Sequence, residues 1–178
     1  MDAVIPASTG TRPAQARMGR PAAGTATEIG ELIAADHRHI LRLFRALDDV
    51  ARAGEPALAR SRLRHVWARL AGLLELHCSA EEEICHPVLF GRGERVTAML
   101  DAAAADHDDI REVVREVELL DVGSARWWRS VTAARSACTR HIFQEERLLA
   151  EVCGGLEPGA ANVLARQWAT FVTAQGNR

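Results

Sequence analysis

The chain has 178 residues, with 22 basic and 24 acidic side chains, a formal net charge of −2 and 48% hydrophobic residues. This length and balance predict one globular domain, or two small ones, and disfavour a nucleic-acid-binding protein, which needs a basic surface. No window reaches the roughly 18 uncharged apolar residues that a membrane span requires, so we expect no membrane as a partner. Because of the charge balance, we expect no nucleic acid as a partner either.

The first 27 residues differ in composition from the rest of the chain. They contain three prolines, three glycines and three arginines among alanine, serine and threonine. Such a segment buries too little apolar surface to offset the entropy lost on ordering. We therefore predict a disordered N-terminal tail over 1–27, a folded bundle over 28–153, and a C-terminal helix and tail over 154–178.

From Thr27 onward, hydrophobic residues recur every three or four positions, which is typical of amphipathic helices. Glycine-containing segments interrupt this pattern and predict helices over the ranges 28–53, 56–89, 94–121, 125–152 and 158–174. Pro56 suits a first helical turn, and Ser124 suits an N-cap. Because short connections make consecutive helices antiparallel, we predict an all-α, up-down-up-down four-helix bundle with an added C-terminal helix.

Each of the four bundle helices has an apolar stripe that polar residues interrupt. The inward positions predicted for the first two helices are Ile33, His37, Ile40, Phe44 and Leu47, then Val66, Leu70, Leu73, His77, Glu81, Ile84 and Val88. Those of the third and fourth are Val96, Leu100, Ala103, His107, Ile110, Val114 and Val117, then Trp127, Val131, Ala134, Cys138, His141, Glu145, Leu148 and Val152. Six ionisable groups in one core would each cost several kcal/mol unless paired or ligated, so packing alone is a poor explanation.

The spacing of these polar residues favours metal binding. His77 with Glu81, and His141 with Glu145, form two H-x-x-x-E pairs whose members lie one helical turn apart on one face. Such pairs can reach the same metal ion or two adjacent ions. The motif D-H-x-x-I occurs at both 36–40 and 106–110, which indicates two similar helical hairpins facing each other.

Together these motifs resemble the hemerythrin-like (HHE) cation-binding family, whose pattern is a lone histidine, H-x-x-x-E, a second lone histidine and another H-x-x-x-E on successive helices. The resemblance covers about 28–153 and implies these metal ligands: His37, His77, Glu81, His107, His141 and Glu145. It implies two iron ions per chain in a non-haem di-iron site, bridged by Glu81, Glu145 and an oxo or hydroxo group. The implied function is binding or sensing of O2, nitric oxide or peroxide, with weak reduction of peroxide or nitric oxide left open.

One departure from the family pattern concerns the third helix. Oxygen-carrying hemerythrins have a second histidine there, four residues from the first, and the corresponding positions here hold Ala103 and Arg111. Four histidines and two bridging carboxylates, with one bridging oxygen, leave each iron an open coordination position. This ligand count favours binding or reducing a small molecule over protected reversible carriage.

Several neighbouring residues are assigned outside the site. We expect the side chains of Glu82, Glu83 and Glu146 to lie on solvated helix faces. We expect Asp36 and Asp106 to be charged residues on helix surfaces. His39, His65 and His86 fall off the stripes. Core or bundle-end packing is expected for Cys138, Trp67, Trp127, Trp128 and Trp168.

The four cysteines show no C-x-x-C pair and lie among helix-forming residues: Cys78, Cys85, Cys138 and Cys153. A chain of this length does not depend on a disulfide framework. We therefore expect reduced thiols and a cytoplasmic location.

Other functional classes remain open at this point. A ferritin-like di-iron enzyme needs two E-x-x-H segments, and only Glu83 with His86 qualifies. The same ligands also suit iron sensing or storage, or a metal-stabilised regulatory module without catalysis. Such a module would bind a protein partner through the tail or the fifth helix.

Overall fold

The structure, a computed structural model, describes residues 26–53, 56–152 and 155–176, which form helices joined by short turns and include no strand. The elements are α1 (Ala26–Arg52), α2 (Pro56–Ala80), a π-helical turn (Glu81–Cys85), α3 (His86–Leu89), α4 (Glu94–Glu118), α5 (Ala125–Val152) and α6 (Pro158–Gly176). The predicted all-α fold is confirmed. Apart from Ala26 and Thr27, the tail predicted over 1–27 lies outside the described residues.

The connections that flank α4 contain glycines in the left-handed region of backbone conformation. Gly91 and Gly93, between α3 and α4, have φ angles of 81° and 131°, and Gly123, before α5, has a φ of 82°. These values are strained for residues with a Cβ atom. At the start of α5, the backbone N–H of Trp127 donates to Oγ of Ser124 over 3.1 Å, which confirms the predicted N-cap.

The helices pack in two main pairs, α1 with α2 and α4 with α5. The added helix α6 packs against α1 and α2, so one face of the bundle carries a fifth helix. None of the helices in the described part of the chain is long and apolar enough to cross a membrane.

Two apolar clusters fill the interior, one toward each end of the bundle. The first includes Ile40, Phe44, Leu70, Ile110, Trp127 and Val131. The second includes Ile33, Leu100, Leu148, Leu164 and Trp168, so α6 contributes to the core as well as covering it. Along each of the four bundle helices, buried polar residues separate the residues that belong to the first cluster from those that belong to the second. The apolar packing on both sides holds the backbone of these polar residues in place.

The π-helical turn corrects the predicted inward face of the second helix. Its i to i+5 bonding is visible where the backbone N–H of His86 donates to the carbonyl of Glu81. One extra residue in the turn rotates the helix beyond it, so that Leu89 is 3% exposed while the predicted Val88 is 38% exposed. Farther back on the second helix, Val66 and Leu73 are only partly buried.

Candidate metal centre

Six ionisable side chains meet at the middle of the bundle. We call them the His–Glu cluster: His37 from α1, His77 from α2, Glu81 from the π-helical turn, His107 from α4, and His141 and Glu145 from α5. Each is at most 4% exposed. These are the six residues that the sequence places on the inward stripes, and the fold brings all of them together.

Glu81 lies between histidines from three helices. Its Oε1 is 2.9 Å from Nε2 of His77, and its Oε2 is 3.2 Å from Nε2 of His107 and 3.8 Å from Nε2 of His141. The two oxygens of one carboxylate therefore face different histidines. This is the arrangement that a carboxylate bridging two cations requires.

Glu145 lies in a similar position on the other side of the cluster. Its Oε2 is 2.7 Å from Nε2 of His37, 3.7 Å from Nε2 of His141 and 3.9 Å from Nε2 of His77. All four imidazoles thus present Nε2, rather than Nδ1, to the two carboxylates.

The ligand atoms fall into two sets that share Glu81. One set contains His37, His77, Glu81 and Glu145, and the other contains Glu81, His107 and His141. Within each set, all ligand atoms lie within 4.8 Å of one another. The donors, imidazole nitrogen and carboxylate oxygen, are those that suit iron and zinc. Each set could therefore hold one metal ion.

Several of these atoms are buried without a hydrogen-bond partner among the described residues. They are Nε2 of His77, His107 and His141, and both carboxylate oxygens of Glu81. A buried polar atom left unsatisfied costs about 1–3 kcal/mol. Because the atoms point at one another and lack hydrogen-bond geometry, a shared cation would satisfy them together, so the residues fit a metal centre.

The pKa values within the cluster shift in different directions. Burial raises the pKa of Glu145 to about 7, and the charge of Glu81 adds to this shift. Burial also acts to raise the pKa of Glu81, but the charge of His77 and the close contacts with His107 and His141 together outweigh it and hold that pKa well below its usual range. Among the histidines, burial lowers the pKa of His141 to about 4. Burial acts to lower the pKa of His77 as well, but the charge and close contact of Glu81, together with the charges of Glu145 and Asp36, outweigh it and raise the pKa to about 9. A metal that binds near neutral pH must therefore displace a proton from His77.

Glu82 is not the solvated side chain expected from the sequence. Its Oε1 accepts a hydrogen bond of 2.7 Å from Nδ1 of His107, and its two oxygens accept bonds of 2.8 and 3.0 Å from the guanidinium of Arg111. Arg111 also donates from Nε to Glu75 over 3.1 Å. A carboxylate that accepts a hydrogen bond from Nδ1 fixes the orientation of the imidazole ring and leaves Nε2 free to bind a metal.

Other neighbours of the cluster also differ from the expectations. Asp106 is buried rather than a surface charge, and its Oδ1 accepts a bond of 3.1 Å from Arg140. His86, placed outside the site from the sequence, stacks on the ring of His107 with centroids 5.7 Å apart. Glu146 is exposed, as expected, with Oε1 3.5 Å from Nδ1 of His37.

One aromatic side chain covers the cluster from the added helix. The ring of Trp168 in α6 packs edge-on against His77, with centroids 6.0 Å apart, and is buried. The ring centroids of His37 and His77 are 4.9 Å apart, so these two imidazoles lie at the same height along the bundle axis. The α1 and α2 side of the cluster is therefore closed to solvent by α6.

Comparison with known proteins found one family. The family model described as the hemerythrin HHE cation binding domain matches residues 28–153, which is more than half of the chain and includes the whole His–Glu cluster. No curated protein and no solved structure matched.

Proposed function

The chain belongs to the family of hemerythrin HHE cation binding domains, and from that premise we propose that its His–Glu cluster holds two iron ions and binds O2, nitric oxide or peroxide. The observation that carries the proposal is the position of Glu81, which is shared by two buried sets of ligand atoms. One carboxylate between two sets of histidines supports two adjacent metal ions rather than a single ion.

The residues divide between the two ions according to these sets. His37 and His77 would hold one iron, and His107 and His141 the other, with Glu81 shared by both sets. Glu145 belongs to the first set, and because its Oε2 lies 3.7 Å from Nε2 of His141 it would act as the second bridging carboxylate. When bound, a pair of iron ions would supply a redox-active centre able to take up a small diatomic molecule or peroxide.

The chain supplies the surroundings that such a centre needs. Glu82, held by Arg111, orients His107 and keeps its Nε2 directed at Glu81. Trp168 and the apolar clusters exclude water from the sides of the cluster. Neither position that would carry the additional histidine of oxygen carriers, Ala103 or Arg111, offers a metal ligand, which supports ligand binding or slow reduction over protected carriage.

The cysteines support a cytoplasmic location within this proposal. Cys78 and Cys138 are buried free thiols, and burial raises the pKa of both, to about 12 for Cys138. Thiols with raised pKa values are poorly reactive, so they fit structural roles in a reducing compartment. Cys153 lies outside the described residues.

A pair of glutamate variants tests the assignment of the bridging ligand. Glu81→Ala removes the shared carboxylate, so purified protein should lose at least one of its two irons per chain. Glu83→Ala is the matched control, because Glu83 lies two residues away on the exposed face. Metal analysis of both variants provides the measurement. A Glu81→Ala protein that retains both irons would show that Glu81 is not a ligand.

A further inference from the structure

A groove runs along the outer surface of the second helix, between α2 and α6. We call it the α2–α6 groove, and its volume is about 650 Å³. Its lining includes three half-buried hydrophobic side chains, Leu73 and Leu76 from α2 and Phe171 from α6. Apolar side chains gathered on one concave surface are typical of a site where another molecule binds.

The wall of the groove that α2 and the π-helical turn form is a stripe with helical spacing. Its members recur every three or four residues: Arg69, Gly72, Leu76, Ser79 and Glu83. At 1.5 Å per residue the stripe is about 21 Å long, or roughly four helical turns. This length and spacing favour a second helix that lies along α2 over a compact ligand.

Gly72 leaves a gap at the centre of the exposed face of α2. A Cβ atom at this position would meet no atom of a neighbouring element within 4 Å among the described residues. Glycine in a helix interior destabilises the helix relative to alanine, and neither a positive φ angle nor a close contact requires it here. The gap gives a side chain from another molecule room to pack on the backbone of α2.

The charged side chains at the two ends of the stripe are unpaired. Arg69 and Glu83 are exposed and form no hydrogen bond or ion pair with any other residue that the structure describes. Glu75, nearer the middle of the groove, is already paired with Nε of Arg111 over 3.1 Å. His39 of α1 also lines the groove. A helix that complements this surface therefore needs a carboxylate toward Arg69 and a basic group toward Glu83.

The second helix itself has this order of charges when its direction is reversed. Residues 56–74 include four arginines and no carboxylate, whereas residues 75–83 include four glutamates and no arginine. An antiparallel copy thus brings the acidic end of one helix to the basic end of the other. A parallel copy would bring like charges together.

We propose that the α2–α6 groove is the interface of a symmetric homodimer, in which α2 of a second copy lies antiparallel on α2 and the two grooves face each other. One register places Leu76 of each copy over Gly72 of the other. In that register Glu83 lies opposite the exposed His65, and its level along the axis is about 6 Å from that of Arg69. Such an isologous contact buries the apolar side chains of both grooves and pairs the charges at both ends. The dimer does not depend on which metal the His–Glu cluster holds.

Analytical ultracentrifugation of the full-length protein, from low to several hundred micromolar, tests the dimer. The wild type should approach twice the chain mass of 19.4 kDa. Gly72→Leu should raise the dissociation constant at least about tenfold, because the new side chain fills the gap that Leu76 of the other copy would occupy. Gly30→Leu is the matched control, since a Cβ atom there also meets no neighbouring atom within 4 Å and Gly30 lies outside the groove lining.

Gly30→Leu should leave the dissociation constant unchanged, and both variants should melt at or above the wild-type temperature, because neither new side chain meets a neighbour. A wild type that stays monomeric would overturn the proposal and leave the groove to another occupant, such as the N-terminal segment or a different protein. Equal dissociation constants for the wild type and Gly72→Leu would also overturn it.

A pair of charge reversals tests the antiparallel direction. Arg69→Glu and Glu83→Arg should each weaken self-association about tenfold at low ionic strength, because each places like charges at both symmetric contacts. An equimolar mixture of the two variants should associate again, since every contact then joins opposite charges. Arg129→Glu, at an exposed position on α5, is the control and should dimerise like the wild type. A mixture that associates no better than either variant alone would overturn the proposed interface.

Discussion

Removal of the metal should destabilise the whole bundle. In the metal-free protein, five ligand atoms are buried without hydrogen-bond partners among the described residues: Nε2 of His77, His107 and His141, and both oxygens of Glu81. At about 1–3 kcal/mol for each atom, the total approaches the 5–15 kcal/mol by which a typical domain is stable. Hydration and protonation would relieve part of this cost, so the metal-free protein should still fold but with a smaller free energy of unfolding.

The expected size of the effect follows from linkage. Metal present at a thousand times its dissociation constant stabilises the folded state by about 4 kcal/mol. For a domain of about 150 residues, each kcal/mol shifts Tm by roughly 2–4 °C. We therefore expect chelation to lower Tm by about 8–16 °C at neutral pH.

Thermal unfolding followed by circular dichroism measures this shift. The comparison needs three samples: loaded protein, chelated protein after the chelator has been removed, and chelated protein reloaded with iron. Reloading should restore the original Tm, which separates metal loss from irreversible damage. Equal Tm values for loaded and metal-free protein would show that the six groups are not jointly buried around a metal, because such groups cannot lose a metal without destabilising the fold.

Three further predictions concern pH, a supporting carboxylate and the tail. The raised pKa of His77, about 9, stabilises metal-free protein fully below about pH 6.5, and that contribution is lost as pH rises through 9. Metal binding at pH 7 should therefore release protons, measurable by titration calorimetry in buffers of different ionisation enthalpy, and affinity should fall about tenfold per pH unit below 9, with loss of metal by pH 6 to 5. The fold should loosen over the same range, because the stabilisation by the metal is lost and because the lowered pKa of His141, about 4, favours the unfolded chain below about pH 6.5. Glu82→Gln should weaken iron binding about 10- to 100-fold in a chelator competition, because it removes the charged partner of His107, whereas Glu83→Gln should not change it. Deletion of residues 1–25 should leave iron content and the optical spectrum unchanged, since no cluster residue lies there; loss of iron loading would place the tail in the folded unit.

The helices and the six residues of the cluster follow from local sequence signals. An apolar period of three to four residues, interrupted at glycines, marks the helices to within a few residues, and Ser124 marks the start of α5. The two H-x-x-x-E pairs and two lone histidines stand out because they interrupt apolar stripes. The structure shows them together in the core, and their role as ligands stays a prediction.

The supporting contacts could not be predicted because they depend on how helices approach one another. Glu82 faces His107 across the contact between the π-helical turn and α4, and Arg111 comes from one turn further along α4. No pattern in the second helix marks the extra residue of the π-helical turn, which exchanges the roles of Val88 and Leu89. The stacking of His86 on His107 has the same origin in tertiary packing.

The most direct test of a di-iron centre is metal analysis, combined with the optical spectrum, of wild-type protein purified from iron-replete cells. We predict two iron atoms per chain and absorption in the near-ultraviolet and visible from a bridged diferric pair. One zinc per chain, no iron and no absorption in this region would contradict it.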